Sequence, residues 1–213
     1  YKLADKSEGM GRQRGALRLL KQKSLFDPLT EAYLFIKNKY KQNVSGGNFT
    51  RGFSNIHIVI PFLRGVHELL QIKKELAVLK VTRKESSQIW MEMALPENVI
   101  NIEDYLLLGI DGIVLNINEL SSHLLGFDLN LDELNFYKKD VKSLIKFLSV
   151  LPKLCHKMKT PIIVYGDMAL YPEVLAFLVE NGIYGLVVER YEAPSAKELL
   201  HQVEKRMILR RSS

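Results

Sequence analysis

Arg14 and Arg18 stand four residues apart, which puts both guanidiniums on one face if the segment is helical. Guanidiniums so placed can grip an anion bidentately. They can equally form the solvated basic start of a helix, given Arg12, Lys21 and Lys23 nearby. Arg64 follows a short apolar run, either as a ligand-facing cation or as an ordinary loop arginine. Asn118 and Glu119 open an amphipathic stretch, where Asn suits an N-cap and Glu the first turn. Glu92 interrupts an apolar run, and Tyr165 ends another. A phenol, with a reference pKa of about 10, is a weak general acid at neutral pH. Cys155 falls on an amphipathic stretch and reads as core. The five histidines show no metal-ligand spacing: His57 lies in a strand, His67 and His201 on helices, and His123 and His156 apart. No Walker loop, G-x-G-x-x-G or G-x-S-x-G pattern is present.

The elements that must position these groups alternate along the chain. Strands are expected at Ile56–Ile60, Gln88–Met93, Gly112–Asn116, Pro161–Tyr165 and Tyr184–Glu189. Helices are expected from Val66 to about Val78, Asn101–Leu108 ending at Gly109, Asn118–Leu125, Lys138–Met158, Tyr171–Glu180 and Ser195–Ile208. An earlier helix runs from about Leu29 to Tyr40, and residues 43–55, with Ser45-Gly46-Gly47-Asn48, read as a flexible loop. Five β-α units with nearly continuous apolar strands indicate an α/β fold with a parallel sheet. The sheet is either a small doubly wound one or most of a barrel.

The 213 residues are 47% hydrophobic and 25% charged, which excludes collagen-like, disordered and disulfide-framework classes. One cysteine makes a reducing, cytoplasmic setting the default, and no apolar run is long enough to span a membrane. The net charge of +6 resides at the ends: residues 1–24 carry +5, residues 203–213 carry +3, and the middle carries −2. A body-wide basic stripe is lacking, so nucleic acid is not an expected partner.

Several strand ends resemble one family. Ile58-Val59-Ile60-Pro61-Phe62-Leu63-Arg64 with Glu68 is similar to the block M-I-P-F-V-R-T-x-x-E of phosphoenolpyruvate synthases. Met93-Ala94-Leu95-Pro96-Glu97-Asn98-Val99 is similar to C-E-I-P-S-N-V. The run Asp111 to Leu120 resembles D-G-F-S-I-G-S-N-D-L, and Leu125-Gly126-Phe127-Asp128 continues it. Tyr165-Gly166-Asp167, Pro172-Glu173 and Leu178 to Ile183 look like C-G-Q…P-E…L-V-E-E-G-I. Gly11 with Arg14 to Arg18 resembles G-W-R-G-x-x-R. The blocks run in the family's order from about Gly11 to Glu189, and the family is that of the carboxy-terminal domain shared by phosphoenolpyruvate synthases and pyruvate phosphate dikinase.

The resemblance implies a (β/α)8 barrel, or its larger C-terminal part, binding phosphoenolpyruvate or pyruvate at the strands' C-terminal ends. Residues 1–213 are then one barrel domain of a longer cytoplasmic protein, with preceding domains and a homodimer as its partners. Arg14, Arg18, Arg64 and Asn118 fall on substrate-binding positions, and Tyr165 stands where the family's acid, a cysteine, stands. The family's strand glutamate aligns with Ala94. Weak Mg²⁺ binding would therefore rest on Glu119 with Glu92 or Glu97. The family's second phosphate arginine aligns with Leu129, within Asp128-Leu129-Asn130. Three substituted positions, Ala94, Leu129 and Tyr165, predict impaired catalysis. Two alternatives stand beside this. One is a scaffold or regulatory module. The other is an enzyme on a different phosphorylated carboxylate, with Tyr165 or Asp167 as acid.

Overall fold

The computed structural model describes residues 14–42, 56–79, 81, 88–126 and 141–211. The expected loop 43–55 and the Asp128-Leu129-Asn130 substitution lie outside them.

Helices α1 (Ala16–Lys21) and α2 (Lys23–Gln42) precede strand β1 (Ile58–Ile60) and helix α3 (Val66–Val78). Strand β2 (Ile89–Met93) is followed by α4 (Pro96–Ile100) and α5 (Ile102–Leu107), and β3 (Gly112–Asn116) by α6 (Ile117–Leu125). Helices α7 (Lys142–Leu148) and α8 (Leu151–Lys157) lead to β4 (Ile162–Tyr165), a 3₁₀ turn at Asp167–Leu170 and α9 (Pro172–Glu180). Strand β5 (Gly185–Val187) and α10 (Ala193–Arg211) complete the described chain. No helix among these residues is long and apolar enough to cross a membrane.

All strand pairs are parallel, in the order β1-β2-β3-β4-β5. Each strand lies beside its successor in sequence, with no reversal at a switch point. That is the winding of a (β/α)8 barrel and not of a doubly wound sheet. The five strands correspond to part of such a barrel. Every residue of β2 is buried, as a parallel strand covered on both faces requires. Leu69, Ile72 and Leu76 of α3 and Val174 and Leu178 of α9 supply part of the covering layer. Burying one such side chain stabilises by about 1.5–3 kcal/mol.

Two helix expectations are corrected. Asn101–Leu108 is only the second of two short helices, because Pro96 at the first turn starts α4 rather than merely closing β2. Proline suits that position, where its missing N–H costs nothing. The Lys138–Met158 helix is divided, within the described residues, into α7 and α8. Ser149 and Val150 separate them, and Pro152 sits in the first turn of α8. At α5 the glycine stop is as expected, with Gly109 at φ 75°.

Cys155 is fully buried on α8. Burial pushes its thiol up to about 12. Native protein at pH 8 should therefore react with a disulfide reagent at least about 100-fold more slowly than unfolded chain, as stopped absorbance assays would read. The unfolded thiol ionises first. The stability gained by keeping it neutral is thus complete below about pH 8.5 and lost as pH rises towards 12.

Candidate functional site

The C-terminal ends of β1 to β4 bring most of the candidate residues together. Pro61-Phe62-Leu63-Arg64 leaves β1 and carries the outer part. Phe62 adopts φ 45°, a left-handed conformation unfavourable for an aromatic residue. Held there, its buried ring lies beneath two cations: the Arg14 guanidinium is 4.2 Å from its centroid and that of Arg64 is 5.2 Å away. Such contacts stabilise a cation by about 0.5–2 kcal/mol. Arg64 Nη1 also donates to the Arg14 carbonyl at 3.1 Å, and the Arg64 backbone N–H donates to the buried Glu68 carboxylate at 2.9 Å.

Arg14 grips Glu119 through both nitrogens of its fork, at 2.8 Å from Nη2 to Oε1 and 3.4 Å from Nη1 to Oε2. His123 stands one turn further along α6, with Nε2 3.5 Å from Glu119 Oε2. Its ring meets the Phe62 ring edge-on at 5.9 Å. Arg14, Arg64, Glu119, His123 and Phe62 thus form one polar cluster around an aromatic platform. His123 was not among the predicted site residues. The i, i+4 spacing of Glu119 and His123 on one helix is the signal that could have found it.

A second layer lies deeper. Glu92, 1% exposed, accepts through Oε1 from Asn116 Nδ2 at 3.0 Å and from the Tyr165 hydroxyl. Asn116 joins the layers, because its Oδ1 accepts from the Glu119 backbone N–H at 3.2 Å. It is register partner to Tyr165 across β3 and β4, so the three side chains share one face at adjacent strand ends. Tyr165→Phe removes one donor from a buried carboxylate. It should cost about 2 kcal/mol of stability, read from the denaturant midpoint.

Other predicted residues are placed differently. Asn116, not Asn118, caps α6. The helix starts one residue earlier than the sequence suggests, and the Asn118 Oδ1 instead accepts from Met168 N–H at 3.1 Å, fastening the turn after β4. Arg14 and Arg18 do not share a helical face. Gly15, at φ 66°, precedes α1 and turns the chain there, so Arg14 lies outside the helix. Arg18 lies on α1 and donates to Gln22 Oε1 at 3.2 Å. Asp167 is exposed on the 3₁₀ turn. Ala94 is fully buried, and its N–H donates to Asn98 Oδ1.

Glu97 accepts from Tyr105 OH at 2.7 Å, Asn98 Nδ2 at 2.8 Å and Asn101 Nδ2 at 3.0 Å. Burial, followed by the Glu97 carboxylate, raises the Tyr105 phenol above its ordinary value. Asn98 also donates to the Leu63 carbonyl at 2.9 Å, tying the β2 loop to the β1 loop that carries Arg64.

A divalent ion, which the resemblance implies, needs carboxylates that converge on one point. Among the described residues no three His, Cys, Asp or Glu side chains converge on a point. Glu119 is held by Arg14, Glu92 by Asn116 and Tyr165, and Glu97 by its own helices. These residues do not present an assembled Mg²⁺ site. A cavity of about 640 Å³ opens instead at the opposite end of β4 and β5, lined by His156, Lys159, Asn181 and Tyr184 among others, and none of the strand-end residues above borders it.

Known proteins resemble this chain over most of its length. The family model described as PEP-utilising enzyme, PEP-binding domain, matches residues 13–205. The phosphoenolpyruvate synthase of Aeropyrum pernix is 22% identical over 164 residues, covering 75% of this chain and 20% of that protein. The probable phosphoenolpyruvate synthase of Archaeoglobus fulgidus is 24% identical over 159 residues, 74% of this chain and 21% of its own. That of Helicobacter pylori, a phosphoenolpyruvate synthase, is 30% identical over 138 residues, 62% of this chain and 16% of its own. The matched part spans about a fifth of these relatives' length.

Proposed function

This chain belongs to the family of the PEP-utilising enzyme, PEP-binding domain, and we propose that it is a phosphoenolpyruvate- or pyruvate-binding barrel of a synthase-like phosphotransferase whose turnover is impaired. The observation that carries the reading is the convergence of Arg14 and Arg64 on the Phe62 ring at the C-terminal end of β1. Two guanidiniums held close together suit a ligand that bears both a phosphate and a carboxylate. In this reading Arg14 takes the phosphate, Arg64 assists it, and Arg18 guides the anion from the exposed side of α1. Asn118 shapes the turn beside the ligand rather than touching it.

Impairment follows from what replaces the family's reactive groups. Ala94 offers no carboxylate, and Leu129 offers no cation. Tyr165 brings a phenol where an acid is needed, and its hydroxyl already donates to Glu92. A phenol so engaged transfers its proton poorly to a substrate carbon. The Mg²⁺ that the family resemblance suggests has no assembled ligand set among the described residues. In this reading the domain works in the cytoplasm, within a longer protein that pairs with a second copy.

The test is calorimetric titration of phosphoenolpyruvate into the 213-residue chain and into its Arg14→Ala variant. Micromolar binding lost in the variant supports the reading. No binding up to about 10 mM, a free energy weaker than about −3 kcal/mol, overturns it and leaves a barrel kept for assembly alone.

A further inference from the structure

We infer that the site accepts its phosphorylated carboxylate without a divalent cation, because Arg14 supplies at Glu119 the positive charge that a bound metal would supply. The inference rests on the reading that this site binds such an anion, and it deepens that reading. Three observations carry it.

Both Glu119 oxygens are engaged by the Arg14 fork, and Oε2 also faces His123 at 3.5 Å. An ion seated on this carboxylate would have to displace the guanidinium or stand beside it against like charge. Glu92 is closed to solvent at 1% exposure, with Asn116 and Tyr165 donating to Oε1. Mg²⁺ dehydrates reluctantly and normally keeps several waters, so only a stripped ion could reach it. Finally, Ala94 turns no ligand into the site, and the neighbouring Glu97 is committed to Tyr105, Asn98 and Asn101.

Glu119 holds the Arg14 fork through Nη1 and Nη2, so the guanidinium's orientation at the Phe62 platform is set before a ligand arrives. Arg64, held to the Arg14 carbonyl at 3.1 Å, adds the second cation. Binding then depends on pre-set guanidiniums and not on the ion content of the solution.

Two measurements test this on the full chain. In the first, phosphoenolpyruvate is titrated in about 5 mM MgCl₂ and again in EDTA, and the Kd is expected to differ by less than about twofold. Affinity at least about tenfold weaker in EDTA overturns the inference while sparing the proposed function. Absence of binding in both buffers overturns the proposed function instead. In the second, Mn²⁺ is titrated without any organic ligand and the free ion is followed by electron paramagnetic resonance. No bound Mn²⁺ up to about 1 mM is expected. A site with Kd below about 100 µM, abolished by Glu119→Gln, overturns the inference whatever the first measurement shows.

Discussion

Arg14→Ala should weaken phosphoenolpyruvate binding by about 100-fold, or about 2.7 kcal/mol. The side chain supplies both a charge and a planar fork, and charge-assisted bidentate bonds are the strongest hydrogen bonds a site can offer an anion. Its loss also leaves Glu119 uncompensated at the mouth of the site, with only His123 beside it. That carboxylate would then repel the incoming phosphate. Arg14→Lys separates the two contributions. It restores a point charge without the fork, and should recover only part of the affinity, leaving it about tenfold below the parent. Calorimetry on the three proteins reads the series. Equal affinity in all three would remove Arg14 from the binding account.

Gly15→Ala should be the most damaging single substitution near the site, with an expected loss of about 3–5 kcal/mol in a denaturant titration. Gly15 sits at φ 66°, where any side chain is strained. A methyl there would come within 2.4 Å of Phe62 Cβ, 2.8 Å of the Phe62 carbonyl and 2.9 Å of the Pro61 carbonyl. Two of the three are backbone atoms, which cannot swing aside. The contact matters because Ala16 N–H donates to the Pro61 carbonyl at 3.0 Å, docking α1 onto the β1 loop. Pushing them apart would move Arg14 from Phe62 and from Glu119 together. A variant of unchanged stability would show that this approach is not needed by the fold.

The strands were legible because parallel strands covered by helices read as nearly continuous apolar runs. Gly112-Ile113-Val114-Leu115-Asn116 was read with its bounds unchanged, and the others shifted by one or two residues at their ends. Strand order was not legible from periodicity, since apolar runs do not say which neighbour they pair with. The resemblance of the strand ends supplied that. Helix divisions were missed where proline and serine act locally, at Pro96 and at Ser149 before Pro152. Among site residues, sequence spacing placed Arg14 and Arg18 on one helix because it could not see Gly15 turn the chain. The Tyr165–Glu92 contact joins residues 73 positions apart, and no local pattern encodes it. Asn116 offered a faint signal, a polar residue closing a buried strand immediately before a helix. Reading Asn118 as the cap hid it.

Because each described strand neighbours its successor, none of these four pairings has to wait for a strand further along the chain. Register partners Trp90 and Gly112, or Ile163 and Gly185, lie about 20 residues apart, whereas Ile113 and Ile162 lie about 50 apart. Closing the longer segment costs only about 0.7 kcal/mol more, since loop entropy grows with the logarithm of length. The sheet can therefore assemble as the polypeptide leaves the ribosome, one β-α unit adding to the last. Each newly added strand presents the edge on which the next one zips. The β3–β4 closure spans the longest segment of the four, and it is also the one that sets Asn116 beside Tyr165. The contact between Tyr165 and Glu92 would then form only after the fourth strand has docked on the third.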